Sequence, residues 1–161
     1  MDIKLLKLLS QNGRYTLNEL SVMTGLEEQE VAEKIKEMEK EGLIRGYKAI
    51  IDWERLDSAM VSAIIELKVA PQPDAGFEDI ACRVMRYEEV ESVYLMSGGY
   101  DLCVLVKGKT FQEVAMFVAK QLAPMKFVLS TSTHFVLRRY KEFDINLCGD
   151  EPDDRGRMSL C

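Results

Sequence analysis

The sequence predicts an α+β fold in two parts: an N-terminal winged helix-turn-helix and a C-terminal ferredoxin-like βαββαβ unit. Three observations predict it. Residues 3–41 carry three short helical periodicities interrupted at Asn12-Gly13 and Gly25, which is helix-turn-helix spacing. From Ala59 the apolar pattern changes to strand–helix–strand–strand–helix–strand, the split βαβ order. A length of 161 residues with 47% apolar content suits one ordinary domain or two small ones and is typical of a globular chain. The expected division is 1–52 for the first part, 53–58 for a linker, 59–147 for the second part and 148–161 for a tail without periodicity.

Ile3, Leu6 and Leu9 are expected on one helical face, with Asp2 as N-cap and Asn12-Gly13 as the stop. Thr16 and Glu19 form a T-x-x-E capping box for a second helix, Leu17 to Thr24, which buries Leu20 and Met23 and ends at Gly25. The third helix, about Glu28 to Glu41, spaces Val31, Ile35 and Met38 by four and three residues and ends at Gly42. LIRGYKAIID then places a Gly46 turn between two apolar pieces, the pattern of a hairpin wing.

In the second part, AMVSAIIELKVA is a strand ended by Pro71 and Pro73. Phe77, Ile80, Ala81, Val84 and Met85 form a helical stripe. VESVYLMSG and YDLCVLVKG are strands joined through Gly98-Gly99-Tyr100. FQEVAMFVAKQL is a second amphipathic helix stopping before Pro124, and FVLSTSTHFVLRRYK is the last strand. Two helices can cover one sheet face, and the other is expected to stay apolar and to pair with a second copy.

Composition excludes several classes. No stretch approaches the roughly 18 apolar residues of a membrane span, and MDIKLLKLLSQNG has lysines within its apolar run and no cleavage site, so it is not read as a secretory signal. A cytoplasmic protein is expected. Cys82, Cys103, Cys148 and Cys161 lack CxxC spacing and His134 is the single histidine, so neither a metal site nor another cofactor is expected. Cys82 and Cys103 are read as buried, inert thiols, and His134 as a packed or interface residue. No nucleophile–base pair, phosphate loop or metal motif is visible, so catalytic residues are not assigned.

The net charge is −6. The first 52 residues hold 8 Lys+Arg and 10 Asp+Glu, a net of −2, whereas nucleic-acid-binding domains are usually basic. On the third helix, Gln29, Lys34 and Lys36 are exposed polar residues able to reach bases or phosphates, with Arg45 and Lys48 of the wing as phosphate contacts. The bland alternative is a solvated helix laced with i,i+4 pairs such as Glu30–Lys34. A second constellation is Met96, Ser97, Gly98, Gly99, Tyr100 and Asp101 together with Thr131, Ser132 and Thr133. Glycines admit close backbone amides, hydroxyls donate or accept, and Asp101 can offset an ammonium, which suits an amino-acid zwitterion. The alternative is a plain hairpin whose glycines serve the turn, with Asp101 holding it.

GRYTLNELSVMTGL, KEMEKEGLIRGYKAII, SGGYDLCVLVKGKT and STSTHFVLRRYK, in this order and spacing, resemble the Lrp/AsnC family of feast–famine regulators over residues 1 to about 145. Within the family, SVYLMSGGYDL and STSTHFVLRRYK look closest to regulators of alanine-producing transaminases. The resemblance implies a homodimer formed through the sensing domains, often assembled into octamers, an amino-acid effector between dimers, and a double-stranded operator held by paired reading heads. Where relatives carry Ser, Pro and Thr at the start of the recognition helix and Arg in its middle, this chain has Glu27, Glu28 and Glu33. The acidic helix leaves open a sensing module that acts by protein contact alone. A haem-precursor decarboxylase shares both domains, but the His and Arg of its hairpin are missing from SGGYDL.

Overall fold

Asp2 opens helix α1 (Ile3–Gln11) by accepting the Leu5 backbone N–H at 3.1 Å. The structure, a computed structural model, describes residues 2–56, 60–70 and 76–147. It divides into two compact units, with the boundary between Ile50 and Ile51. The last two linker positions, the strand start at Ala59, the Pro71–Pro73 stop, and the 148–161 tail with Cys148 and Cys161 lie outside the described residues. Among the described residues no helix is long and apolar enough to cross a membrane.

In the N-terminal unit α1, α2 (Leu17–Thr24) and α3 (Glu28–Lys40) close over Leu5, Leu20, Val31 and Met38. The expected buried face of α1 is corrected. Leu5 is fully buried, Leu6, Leu8 and Leu9 pack beside it, and Ile3 is exposed. At about 100° per residue, two steps of three residues drift by roughly 120°, so Ile3 and Leu9 do not share a face.

The capping box of α2 forms in full. Glu19 donates its backbone N–H to Thr16 Oγ1 at 3.2 Å, and Glu19 Oε2 accepts the Thr16 N–H at 2.8 Å. These bonds, the Thr16 backbone N–H first, hold the Glu19 carboxyl below its ordinary value. The sign follows: the cap contributes above the unfolded-state pKa and is lost as pH falls through the folded one. Thr16→Ala is expected to destabilise this unit by about 1 kcal/mol, read from denaturant titration at neutral pH. Gly25 ends the helix at φ 79° and Gly42 follows α3 at φ 72°, a conformation that costs other residues a steric penalty.

The wing hairpin does not form as a paired ladder. Residues 43–52 contain no strand, and no residue there has the positive φ that a two-residue hairpin turn requires. The segment is instead tied down by Tyr47. Its hydroxyl donates to Glu39 Oε1 at 3.1 Å, and its ring lies where a side chain on Gly13 would clash, 2.9 Å from a Cβ built there.

The C-terminal unit starts with a 3₁₀ turn at Trp53–Arg55. It continues as β1 (Val61–Val69), α4 (Phe77–Val84), β2 (Val90–Leu95), β3 (Leu102–Gly108), α5 (Phe111–Phe117) and β4 (Val128–Phe135). The strands form an antiparallel sheet in the order β2-β3-β1-β4, the ferredoxin-like arrangement. Helix α5 runs on as one wider turn, Val118–Leu122, in which the Ala123 N–H reaches Val118 O at 2.8 Å. Alternate residues of β1 and β3 (Ala63, Ile65, Leu67; Leu102, Val104, Val106) are buried against Ile80 and Val84 of α4 and Val114, Phe117 and Leu122 of α5. Cys82 sits two residues after Ile80, off the buried stripe, and is exposed rather than buried. A short hairpin absent from the sequence expectation follows, β5 (Lys141–Glu142) with β6 (Ile145–Asn146). Its two turn residues, Phe143 and Asp144, have φ 44° and 66°.

The uncovered sheet face is not uniformly apolar as expected. The register sets Tyr94, Cys103, Glu66 and Ser132 in one row, and Ser92, Leu105, Ile64 and His134 in the next. The composition of β4 is the reason: Ser130 to His134 are polar without interruption, so both faces receive polar side chains, and strand parity puts Ser132 and His134 on this one.

Candidate nucleic-acid interface and effector hairpin

Val31 and Met38 turn one side of α3 into the core, with Ile35 packed between them. At about 100° per residue the opposite, outermost line of the helix is Gln29, Glu33, Lys36 and Lys40. All four are exposed. Gln29 and Lys36 therefore stand where the sequence placed them. Lys34 does not: it lies on the flank, paired with Glu30 at 3.3 Å and with Asp2 at 3.8 Å. It staples α3 to the start of α1 rather than reaching outward. Arg45 is exposed with its guanidinium over Gly42, beside the negative end of the α3 dipole. Lys48 is exposed on the segment that follows.

The acidic character of the unit is largely consumed by its own fold. Asp2 caps α1, Glu19 caps α2, and Glu28 accepts from Asn18 Nδ2 at 3.0 Å, joining α2 to α3. Glu30 pairs with Lys34, Glu39 accepts from Tyr47, and Glu33 accepts from Gln29 Nε2 at 3.2 Å. Lys36 and Lys40 make no ion pair among the described residues. Six of the nine carboxylates in residues 1–50 are engaged in this way, and the outermost line of α3 carries two lysines, one amide and Glu33, whose position at i+4 from Gln29 is the signal that identifies it as a fourth member of the face.

The β2–β3 hairpin is pinned to β1. Met96 donates its N–H to Asp101 O at 2.8 Å, and Asp101 donates its own to Leu67 O at 3.0 Å. The Asp101 carboxylate reaches across to accept the Val69 N–H at 2.8 Å, so Asp101 holds the turn. Gly98 adopts φ 154°. Ser97, Gly98 and Gly99 are exposed, Met96 is exposed at the edge, and Tyr100 and Asp101 are half-buried. Nothing lies within 4 Å of a Cβ built on Gly98 or Gly99, so their backbone is approachable.

Thr131 shares a cross-strand row with Leu67, Leu102 and Leu95, at the sheet end that bears the hairpin. Thr133 lies one pleat deeper, opposite Ile65, on the same helix-covered side as Thr131, while Ser132 pairs with Glu66 on the open side. One strand, β1, separates the hairpin from β4. The nine residues therefore gather at one end of the sheet without converging on one point in a single chain, and Ser132 departs to the other face.

On that face Ser132 Oγ lies 3.2 Å and Glu66 Oε1 3.5 Å from His134, both at Nε2. A catalytic relay needs the base to engage its two partners through different ring nitrogens, so this cluster is not one. Burial raises the Cys103 thiol above its ordinary value, opposed by a hydrogen bond from Tyr100, and raises the Tyr100 phenol. Neither group is activated as a nucleophile. Among the described residues no three His, Cys, Asp or Glu side chains gather to hold a metal ion.

Comparison with known proteins decides the family. Residues 1–45 match the family described as winged helix-turn-helix DNA-binding, and residues 62–145 match the Lrp/AsnC ligand binding domain. The chain belongs to the Lrp/AsnC family. One relative, the uncharacterised HTH-type transcriptional regulator YugG of Bacillus subtilis, is 43% identical over 87% of this chain and 85% of its own. Another, the HTH-type transcriptional regulator FL11 of Pyrococcus abyssi, is 33% identical over 88% and 91%. Among solved structures, a transcriptional regulator of Neisseria meningitidis in complex with L-methionine superposes with a TM-score of 0.70 at 28% identity, covering 88% of this chain and 93% of that one. As an Lrp/AsnC protein the chain is a DNA-binding helix-turn-helix regulator with a ligand-binding domain. Its relatives are named transcriptional regulators, which sets the decarboxylase alternative aside.

Proposed function

We propose that this Lrp/AsnC regulator controls genes of amino-acid metabolism and takes an amino acid as its effector at the β2–β3 hairpin, between dimers of a homo-oligomer. The supporting observation is the hairpin itself, open at Gly98 and Gly99 and pinned by Asp101 to β1. Accessible glycine amides suit the carboxylate of a zwitterion, and the second Asp101 oxygen suits its ammonium. The Neisseria relative was solved with L-methionine. Because β1 stands between the hairpin and Thr131 and Thr133, and both threonines lie on the helix-covered side of the sheet, a site using all of them draws on more than one chain, which is what an effector between dimers supplies.

On the DNA side, Gln29 and Lys36 face the major groove, and Arg45 and Lys48 meet phosphates. The effector acts by binding one assembly more tightly than another, since only a differential affinity shifts an equilibrium. Several linked heads compensate for a net-acidic domain, because tethering raises the effective concentration of the second head.

The test is binding to DNA upstream of the protein's own gene across salt concentrations, with and without a pool of amino acids. Saturable binding that weakens with salt and shifts with one amino acid is expected. A chain that binds no duplex at low salt, alone or with the pool, replaces this proposal with a sensor acting through protein contact.

A further inference from the structure

We infer that Gln29 and Glu33 act together as one base-reading pair that selects adenine over guanine at one operator position; this rests on the DNA contact proposed above. Both residues stand on the outermost line of α3, near its N-terminal end, the part of a recognition helix that meets base edges. Gln29 Nε2 donates to Glu33 Oε1 at 3.2 Å. Only the N–H side of an amide can face a carboxylate, because its carbonyl side would set two acceptors against each other. Glu33 therefore fixes which way round the Gln29 amide lies.

The consequence is a defined hydrogen-bonding edge. One N–H of Gln29 is occupied, leaving one N–H and the carbonyl oxygen for a partner. Adenine offers an acceptor at N7 and a donor at N6 in the major groove, which matches that edge. Guanine offers two acceptors, N7 and O6, and Gln29 has one free N–H for them. The second Glu33 oxygen works in the same direction. It accepts from the exocyclic amine of adenine or cytosine and repels guanine O6 and thymine O4. A carboxylate that costs affinity beside phosphates is thus placed where it supplies discrimination.

Lys36 and Lys40, one and two turns further along, are the nearby outward cations. They supply attraction to phosphate or guanine, and neither opposes the pair at the position Gln29 meets.

The experiment is enrichment of preferred sequences from a randomised duplex pool by the full chain and by Gln29→Ala, Glu33→Gln and Glu33→Ala. Both positions are exposed, and helix content of each variant is checked by circular dichroism. Wild type is expected to enrich adenine at one position of each half-site. Glu33→Ala is expected to bind duplex at least as tightly at low salt while its preference for adenine over guanine there falls about tenfold, the lower part of what a bidentate contact provides. Gln29→Ala is expected to lose the same preference. Variants that keep the wild-type base preference at every position overturn the pair while leaving the DNA-binding assignment standing. A wild type that enriches no sequence and binds no duplex overturns that assignment and the inference with it.

Discussion

Leu20→Ala is expected to unfold the N-terminal unit while the C-terminal unit stays folded. Leu20 is 1% exposed and belongs to a core with only three other fully enclosed side chains, Leu5, Val31 and Met38. Truncating a buried leucine to alanine costs about 2–5 kcal/mol. A hydrophobic core in a unit this small supplies roughly 3–5 kcal/mol in total, so one substitution removes most of its stability. The C-terminal core, built from thirteen buried side chains across sheet and helices, does not contain Leu20. Amide hydrogen exchange is the measurement. Protection should collapse across residues 3–40 and persist across 61–135, with DNA binding lost and amino-acid binding retained. Uniform loss of protection in both segments would show that the two units unfold as one.

That asymmetry bears on what the sequence made legible. Capping chemistry was readable because it is local: Thr16 and Glu19 satisfy each other three residues apart, and Gly25 and Gly42 take the left-handed conformations their positions demand. The βαββαβ order was readable because each strand carries its own periodicity. What escaped depended on partners distant in sequence, or on phase. Ile3 does not share a face with Leu9, because a three-residue spacing resembles a helical face over one step and leaves it over two. The spacing of α3 leaves Lys34 outside the core but does not reveal Asp2, which lies 32 positions earlier and pairs with it. Thr131, Ser132 and Thr133 read as one motif in the sequence, although strand parity sends Ser132 to the opposite face. The β5–β6 hairpin turns at Phe143 and Asp144, neither a glycine, so no turn signal marked it.

The acidic recognition helix shows why charge totals are a blunt instrument. A net of −2 over the first 52 residues counts each carboxylate equally. In the fold, Glu19, Glu28, Glu30 and Glu39 are each committed to a cap, a neighbouring helix, a lysine or a tyrosine. In the proposed DNA contact, what a duplex meets is the outward line of α3, where Lys36 and Lys40 accompany Gln29 and Glu33. Weak non-specific attraction combined with a polar, hydrogen-bonding edge is the profile of a head that needs linked partners for affinity and uses its side chains for selection.

In the proposed effector site Asp101 is where fold and binding meet, and two substitutions separate them. Asp101→Ala is expected to cost about 1–3 kcal/mol, because it strips the acceptor from the buried Val69 N–H, and to abolish the amino-acid response by freeing the turn from its side-chain tie to Val69 and removing the carboxylate. Asp101→Asn keeps a side-chain carbonyl able to accept that N–H, so its stability is expected to remain within about 1 kcal/mol of wild type. It removes the negative charge, however, and a hydrogen bond to a charged group is worth more than one to a neutral group. Amino-acid affinity is therefore expected to fall about tenfold in Asp101→Asn while the melting profile stays close to wild type, as read by calorimetric titration beside thermal denaturation. Wild-type affinity in Asp101→Asn would mean that Asp101 only pins the hairpin and that the ammonium is met by another acceptor. An Asp101→Ala protein as stable as wild type would mean that the bond to Val69 is not what holds the loop.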